Sequence, residues 1–162
     1  MRYQHPCRSV ELRGTTAPTL REIKLAVRLR TPESAASLKG RVHVNHNQEL
    51  GAAGEELAAV YLTNAGYTVL SRNWRCTVGE LDIVAEGSGQ IIGVEVKTRS
   101  SLGFGHPAEA VNPVKLRRIS RLVRRWCAAH RRDPNTARVD VIAILMAPGR
   151  DPEIEHLIGV ES

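Results

Sequence analysis

From Gln48 onward the apolar residues follow helical spacing, then strand spacing, then helical spacing again and finally strand spacing, an order that suits a helix-covered sheet. Leu50, Ala53, Leu57, Ala58, Tyr61, Leu62 and Ala65 recur on one side of a helix over Gln48–Ala65, with Gly66 as its stop. Tyr67–Trp74, Glu80–Ala85 and Ile91–Thr98 read as three strands of an antiparallel meander, the last two joined at Gly87-Ser88-Gly89. Asn112-Pro113 supplies an N-cap and a proline for a second helix, whose apolar stripe Leu116, Ile119, Val123, Trp126 and Cys127 continues to about Arg131. Arg138–Met146 has the apolar density of a buried strand, and Ile154–Ile158 is a candidate edge strand. The expected fold class is α/β, in the order α-β-β-β-α-β with a final strand as an option. Two Trp, three Tyr and one Phe leave the core to Val, Leu, Ile and Ala, as such a sheet requires.

A length of 162 residues suits one domain. The net charge of +6 is a property of residues 1–46, where nine Lys or Arg face three acids; residues 47–162 balance at fourteen of each. Residues 1–46 lack sustained periodicity and are expected to be a flexible basic extension, or to precede an alternative start at Val42 or Val44. A native mass that includes Met1 would exclude that alternative. Cys7, Cys76 and Cys127 form no C-x-x-C pair, which argues against a disulfide framework or zinc ribbon, and His43 and His46 are read as part of a polar linker. No apolar run approaches the roughly 20 residues of a bilayer span, nor the apolar core of a secretory signal, so the expected location is the cytoplasm.

Chemistry concentrates in the third strand. Alternation puts Ile92, Val94 and Val96 on one face and Gly93, Glu95 and Lys97 on the other, while Asp82 interrupts apolar sequence in the preceding strand. Pairing across Gly87-Ser88-Gly89 can make the two acids neighbours. Two carboxylates beside a lysine suit a hard cation such as Mg2+ or Mn2+ that keeps several waters, and the natural chemistry of such a group is phosphodiester hydrolysis. An ordinary ion pair on a solvated sheet face is the competing explanation, since Glu-x-Lys alone is a weak signal. On the first helix, at about 100° per residue, Glu55 falls about 110° from the centre of the apolar stripe and Glu56 about 150°. Glu55 therefore suits the helix–sheet boundary and Glu56 the solvent.

Taken together, Gly51-x-x-Gly54-Glu55, Asn73-Trp74-Arg75, Gly79-Glu80-Leu81-Asp82, Val94-Glu95-Val96-Lys97-Thr98-Arg99-Ser100-Ser101, Gly105-His106-Pro107-x-Glu109-Ala110-Val111, Lys115 and Arg138-Val139-Asp140-Val141 resemble the YraN-like family of uncharacterised bacterial proteins. The resemblance covers about Asn47–Ser162. It implies a restriction-endonuclease-like core of the PD-(D/E)XK superfamily, a mixed sheet flanked by helices, with a site similar to that of archaeal Holliday junction resolvases. Asp82, Glu95 and Lys97 match the D…E-x-K signature, with Asp82 and Glu95 as metal ligands. Glu55 matches the acid that resolvase-like members carry on the first helix. The usual proline before the aspartate is Leu81 here. A homodimer is a further implication of the resemblance.

The second helix supplies separate support for nucleic-acid contact. Lys115, Arg117, Arg118, Arg121, Arg124, Arg125, Arg131 and Arg132 occur there with no acid until Asp133, a ridge able to neutralise phosphates without reading bases. Arg99 leads from the proposed site into Gly103-Phe104-Gly105, a loop suited to approach a phosphate; His106 stays outside the catalytic set. The expectation is a Mg2+- or Mn2+-dependent nuclease acting on DNA rather than RNA, on branched or repair intermediates. A non-catalytic nucleic-acid-binding or assembly module on the same fold is the alternative.

Overall fold

Both helices form where the apolar periodicity puts them. The computed structural model describes residues 46–101 and 112–160; the basic extension, the loop over 103–105 and His106 lie outside the described residues. Helix α1 spans His46–Asn64. Gly66, at φ 86°, ends it by letting the Tyr67 N–H turn back onto the Leu62 carbonyl at 3.0 Å. Helix α2 spans Pro113–Ala129, opened by Asn112, whose side chain accepts the Lys115 N–H at 2.9 Å. It stops two residues before the expected Arg131. The His130 N–H already doubles back on the Trp126 and Cys127 carbonyls, and Arg131 turns to φ 56° so that the Arg132 N–H can cap Cys127.

Among the described residues five strands, β1 (Thr68–Cys76), β2 (Gly79–Gly87), β3 (Gln90–Arg99), β4 (Ala137–Leu145) and β5 (Glu153–Leu157), form one sheet in chain order. Successive pairs are antiparallel except β3 with β4, which is parallel because α2 and a short 3-10 helix at Pro134–Thr136 carry the chain back to the same end. Ser88 and Gly89 bridge β2 and β3 as a two-residue turn, both at positive φ. The fold is the expected mixed sheet flanked by helices, with β5 realising the optional last strand.

Each helix covers one face. Under α1 pack Ile83, Ile92, Val94, Ile142 and Ile144; under α2 pack Trp74, Leu81, Val84, Ile91, Val139 and Val141. The α2 stripe is as the spacing predicts, with Leu122 added to its buried residues. Trp126 ties the helix to the sheet, its indole N–H donating to the buried Ser71 hydroxyl at 3.1 Å. Gly93 lets α2 approach β3 so closely that an added Cβ would lie 3.0 Å from Val123 Cβ.

Candidate functional site

The ladder between β2 and β3 runs from Gly87 opposite Gln90 to Ile83 opposite Val94 and then stops. One residue beyond, the Asp82 carboxylate accepts the Val96 N–H at 2.8 Å, so a side chain takes a bond that a further rung would have used. Leu81 packs under α2 and Ile83 under α1 although they stand two apart, so regular alternation is broken at Asp82. Its carboxyl thereby joins Glu95 in one cleft of about 130 Å³, walled by Glu80, Lys115, Arg118, Ile119 and Leu122.

Electrostatics in this cleft are unfavourable to two ionised acids. Burial, then the charge of Glu95, and to a smaller extent that of Glu55, push the Asp82 carboxyl up to about 7, against the Val96 N–H and Lys115, which favour its ionised form. Glu95 is 9% exposed, and its Oε1 accepts from the Lys115 ammonium, delivered from the first turn of α2. Two carboxylates converging this way suit a hard cation that retains most of its waters. Among the described residues no group of three or more His, Cys, Asp or Glu side chains is placed to hold a metal ion together.

The remaining expected site residues are distributed as follows. Lys97 is half-buried on β3 opposite Ala143 of β4, two residues beyond Glu95, and lies outside the residues walling the cleft. Glu55 acts on Asp82 through its charge from α1. Its approach depends on Gly54, where an added Cβ would sit 1.8 Å from the Thr98 hydroxyl oxygen, so the helix rests directly on the end of β3. Glu56, expected in solvent, is instead half-buried like Glu55 and held by Arg72 of β1 at 2.7 Å, because the helix lies close enough to β1 for the long arginine to reach it. Gly54→Ala should therefore cost about 1–3 kcal/mol. Gly51→Ala, one turn earlier with nothing within 4 Å, should stabilise by up to about 1 kcal/mol. Urea denaturation of both variants checks the opposed signs; equal shifts would mean that α1 is not seated on Thr98.

Arg117, Arg118, Arg121, Arg124 and Arg125 are exposed along α2. Arg118 also walls a second cleft, of about 250 Å³, with Arg75, Cys76, Gly79 and Glu80. Arg131 is exposed, and Arg132 is tied to Glu86 at 2.8 Å. Lys115, expected among the phosphate contacts, is engaged by Glu95 instead. Arg99 is half-buried, with its Nε buried and given no hydrogen-bond partner among the described residues.

A family model described as uncharacterised protein family UPF0102 matches residues 54–144, more than half of the chain. A UPF0102 protein of Mycolicibacterium smegmatis is 54% identical over 114 residues, covering 69% of this chain and 92% of the relative. Relatives from Arthrobacter sp. and Nocardia farcinica are each 50% identical, over 111 and 117 residues, covering 68% and 72% of this chain and 94% and 92% of theirs. The chain belongs to the UPF0102 family. The UPF0102 match begins at Gly54 and so takes in Glu55, Asp82, Glu95, Lys97 and Lys115.

One polar centre in this UPF0102 member escaped the sequence reading. Asp140 of β4, fully buried, accepts from Arg138 Nε and Nη2 at 2.9 and 3.0 Å, from the Gly159 N–H at 2.9 Å, and pairs with His156 Nε2 at 2.9 Å. Arg138 also donates to Gln90 at 2.7 Å, and His156 lies edge-on to Tyr61 and Tyr67. Despite burial, bonds from His156, Arg138 and Gly159 hold the Asp140 carboxyl below the usual range. The i, i+2 spacing of Arg138 and Asp140 was the available signal; the partner His156 stands on another strand.

Proposed function

We propose that this UPF0102 protein is a divalent-metal-dependent DNA endonuclease of the PD-(D/E)XK type. The observation that carries the reading is the convergence of Asp82 and Glu95 in one cleft where burial and mutual repulsion disfavour two negative charges unless a cation joins them. Asp82 and Glu95 would hold Mg2+ or Mn2+, the hard cations that two carboxylates and several waters suit. When bound, such an ion lowers the pKa of a coordinated water and stabilises charge developing on phosphate. Lys97, on the same face of β3, would orient the attacking water through its ammonium. Glu55, from α1, adds the negative charge that keeps the cluster selective for a cation and steers water on that side.

The exposed Arg117, Arg118, Arg121, Arg124 and Arg125, with Arg99 at the strand end, hold the phosphate backbone without reading bases. Substrate is DNA rather than RNA, and the likeness of the acidic set to resolvases favours branched or repair intermediates. A two-fold substrate of that kind is matched by a homodimer. No helix among the described residues is long and apolar enough to cross a membrane, and the reading places the protein in the cytoplasm with nucleic acid.

The test is cleavage by the full chain of labelled single-stranded, duplex, flap and four-way-junction DNA, with Mg2+ or Mn2+ and with EDTA. Metal-dependent cleavage of at least one substrate is expected. A protein that neither binds divalent cation nor cuts any of them would end the nuclease reading.

A further inference from the structure

The ion pair between Lys115 of α2 and Glu95 of β3 joins residues 20 apart in sequence, and it does so at the carboxylate that the proposed reaction assigns to the metal. Lys115 stands in the first turn of α2, on a side chain 36% exposed, whereas the Glu95 side chain is 11% exposed. The ammonium thus reaches down from the cleft mouth onto an anion within it. Asp82 feels the same cation. One positive charge on a flexible four-carbon stem is a reasonable substitute for a small hard cation, but it brings no coordination geometry and can leave by rotation alone.

We propose that Lys115 is a placeholder for the divalent metal: it occupies Glu95 while the site is metal-free, is displaced when the ion binds, and then engages the phosphate of the incoming nucleic acid. Two consequences of opposite sign follow. Removing the lysine charge removes a competitor and a like charge, so it tightens metal binding. It also removes one phosphate contact, so it weakens nucleic-acid binding. A lysine present only to stabilise the fold, or one acting on phosphate alone, produces no gain in metal affinity. Nearby Arg118, which walls the same cleft from the next turn of α2, receives no acidic side chain as a partner among the described residues and supplies a neighbouring contact for the same phosphate group.

Because this inference rests on the metal reading of Asp82 and Glu95, the experiment separates the two. Mn2+ binding to the metal-free full chain is measured by titration calorimetry or by the electron paramagnetic resonance of free Mn2+, for wild type, Lys115→Met, Lys115→Arg and Asp82→Asn. Lys115→Met should bind Mn2+ about three- to tenfold more tightly than wild type, the range expected for loss of a partly screened ion pair. Lys115→Arg, which keeps the charge, should resemble wild type, and Asp82→Asn should lose the site. Binding of a labelled DNA duplex with Ca2+ as the cation should then show, for Lys115→Met, a salt dependence shallower by about one phosphate contact. Mn2+ affinity in Lys115→Met equal to or weaker than wild type overturns the placeholder role while leaving the metal reading intact. Lys115→Arg behaving like Lys115→Met excludes charge competition as the cause, and an unchanged salt slope overturns the transfer to phosphate. Absence of Asp82-dependent Mn2+ binding in both wild type and Lys115→Met overturns the metal reading itself.

Discussion

Asp82→Asn should reduce metal-dependent cleavage by roughly a thousandfold or more and, in the same protein, raise metal-free stability at about pH 8. The two effects have one origin. The amide is nearly isosteric and keeps an oxygen to accept the Val96 N–H, so the junction between β2 and β3 is preserved. What disappears is a negative charge that binds metal and repels Glu95. In the folded wild-type chain the carboxyl keeps its proton to about pH 7, against 3.8 for an unperturbed group. Between these values the folded state holds more protons than the unfolded state, so stability is full below the lower value and falls as pH rises through the higher one. The loss amounts to at most about 4 kcal/mol. Urea denaturation in EDTA across that window should show a declining profile for wild type and a flatter one for Asp82→Asn. Parallel profiles would mean that Asp82 ionises normally in the fold, and cleavage surviving in the variant would remove it from the metal site.

Asp140→Ala should cost about 3–5 kcal/mol, enough to consume much of the stability of a domain this size. Asp140 is fully buried and is the shared acceptor of Arg138 and Gly159 and the partner of His156. Its removal strands a guanidinium that is largely withdrawn from solvent and leaves the Gly159 N–H without its acceptor. The pH dependence runs opposite to that of Asp82. A carboxyl held below its usual range contributes stability that is present above the unfolded value and is lost as pH falls through the folded one. The midpoint of urea denaturation is the readout, and Asp140→Asn, which retains an acceptor, should lose less. If alanine is tolerated within about 1 kcal/mol, the network is incidental to stability.

Much of this architecture is legible in residue spacing. The change from period 3.6 to period 2 and back locates every element to within a few residues, because each helix and strand here has one face that must be buried. The same logic places Glu95 and Lys97 on one face of β3, but it sends Glu56 to solvent where Arg72 of β1 holds it half-buried. What spacing cannot express is contact between elements distant in sequence. The Lys115–Glu95 pair, the Arg72–Glu56 pair and the meeting of Asp140 with His156 each depend on how elements dock, and the docking is decided by close approaches such as Gly54 on Thr98. The break at Asp82 is likewise invisible, since a strand with an irregular rung has the same apolar letters as a regular one.

The parallel pairing of β3 with β4 bears on when the acidic pair comes into being during synthesis. Its rungs join residues far apart, Ile91 with Ala137 and Glu95 with Val141, whereas β1, β2 and β3 are linked by short turns. Closing so long a loop carries an entropic cost that local hairpins avoid, so on contact-order grounds this seam forms late. Glu95 gains its β4 neighbour only at that step. The groups that act on the Asp82 carboxyl, Glu55, Glu95, the Val96 N–H and Lys115, all precede β4 in the chain, so the acidic pair can assemble on the meander, already backed by α1, before the parallel seam closes.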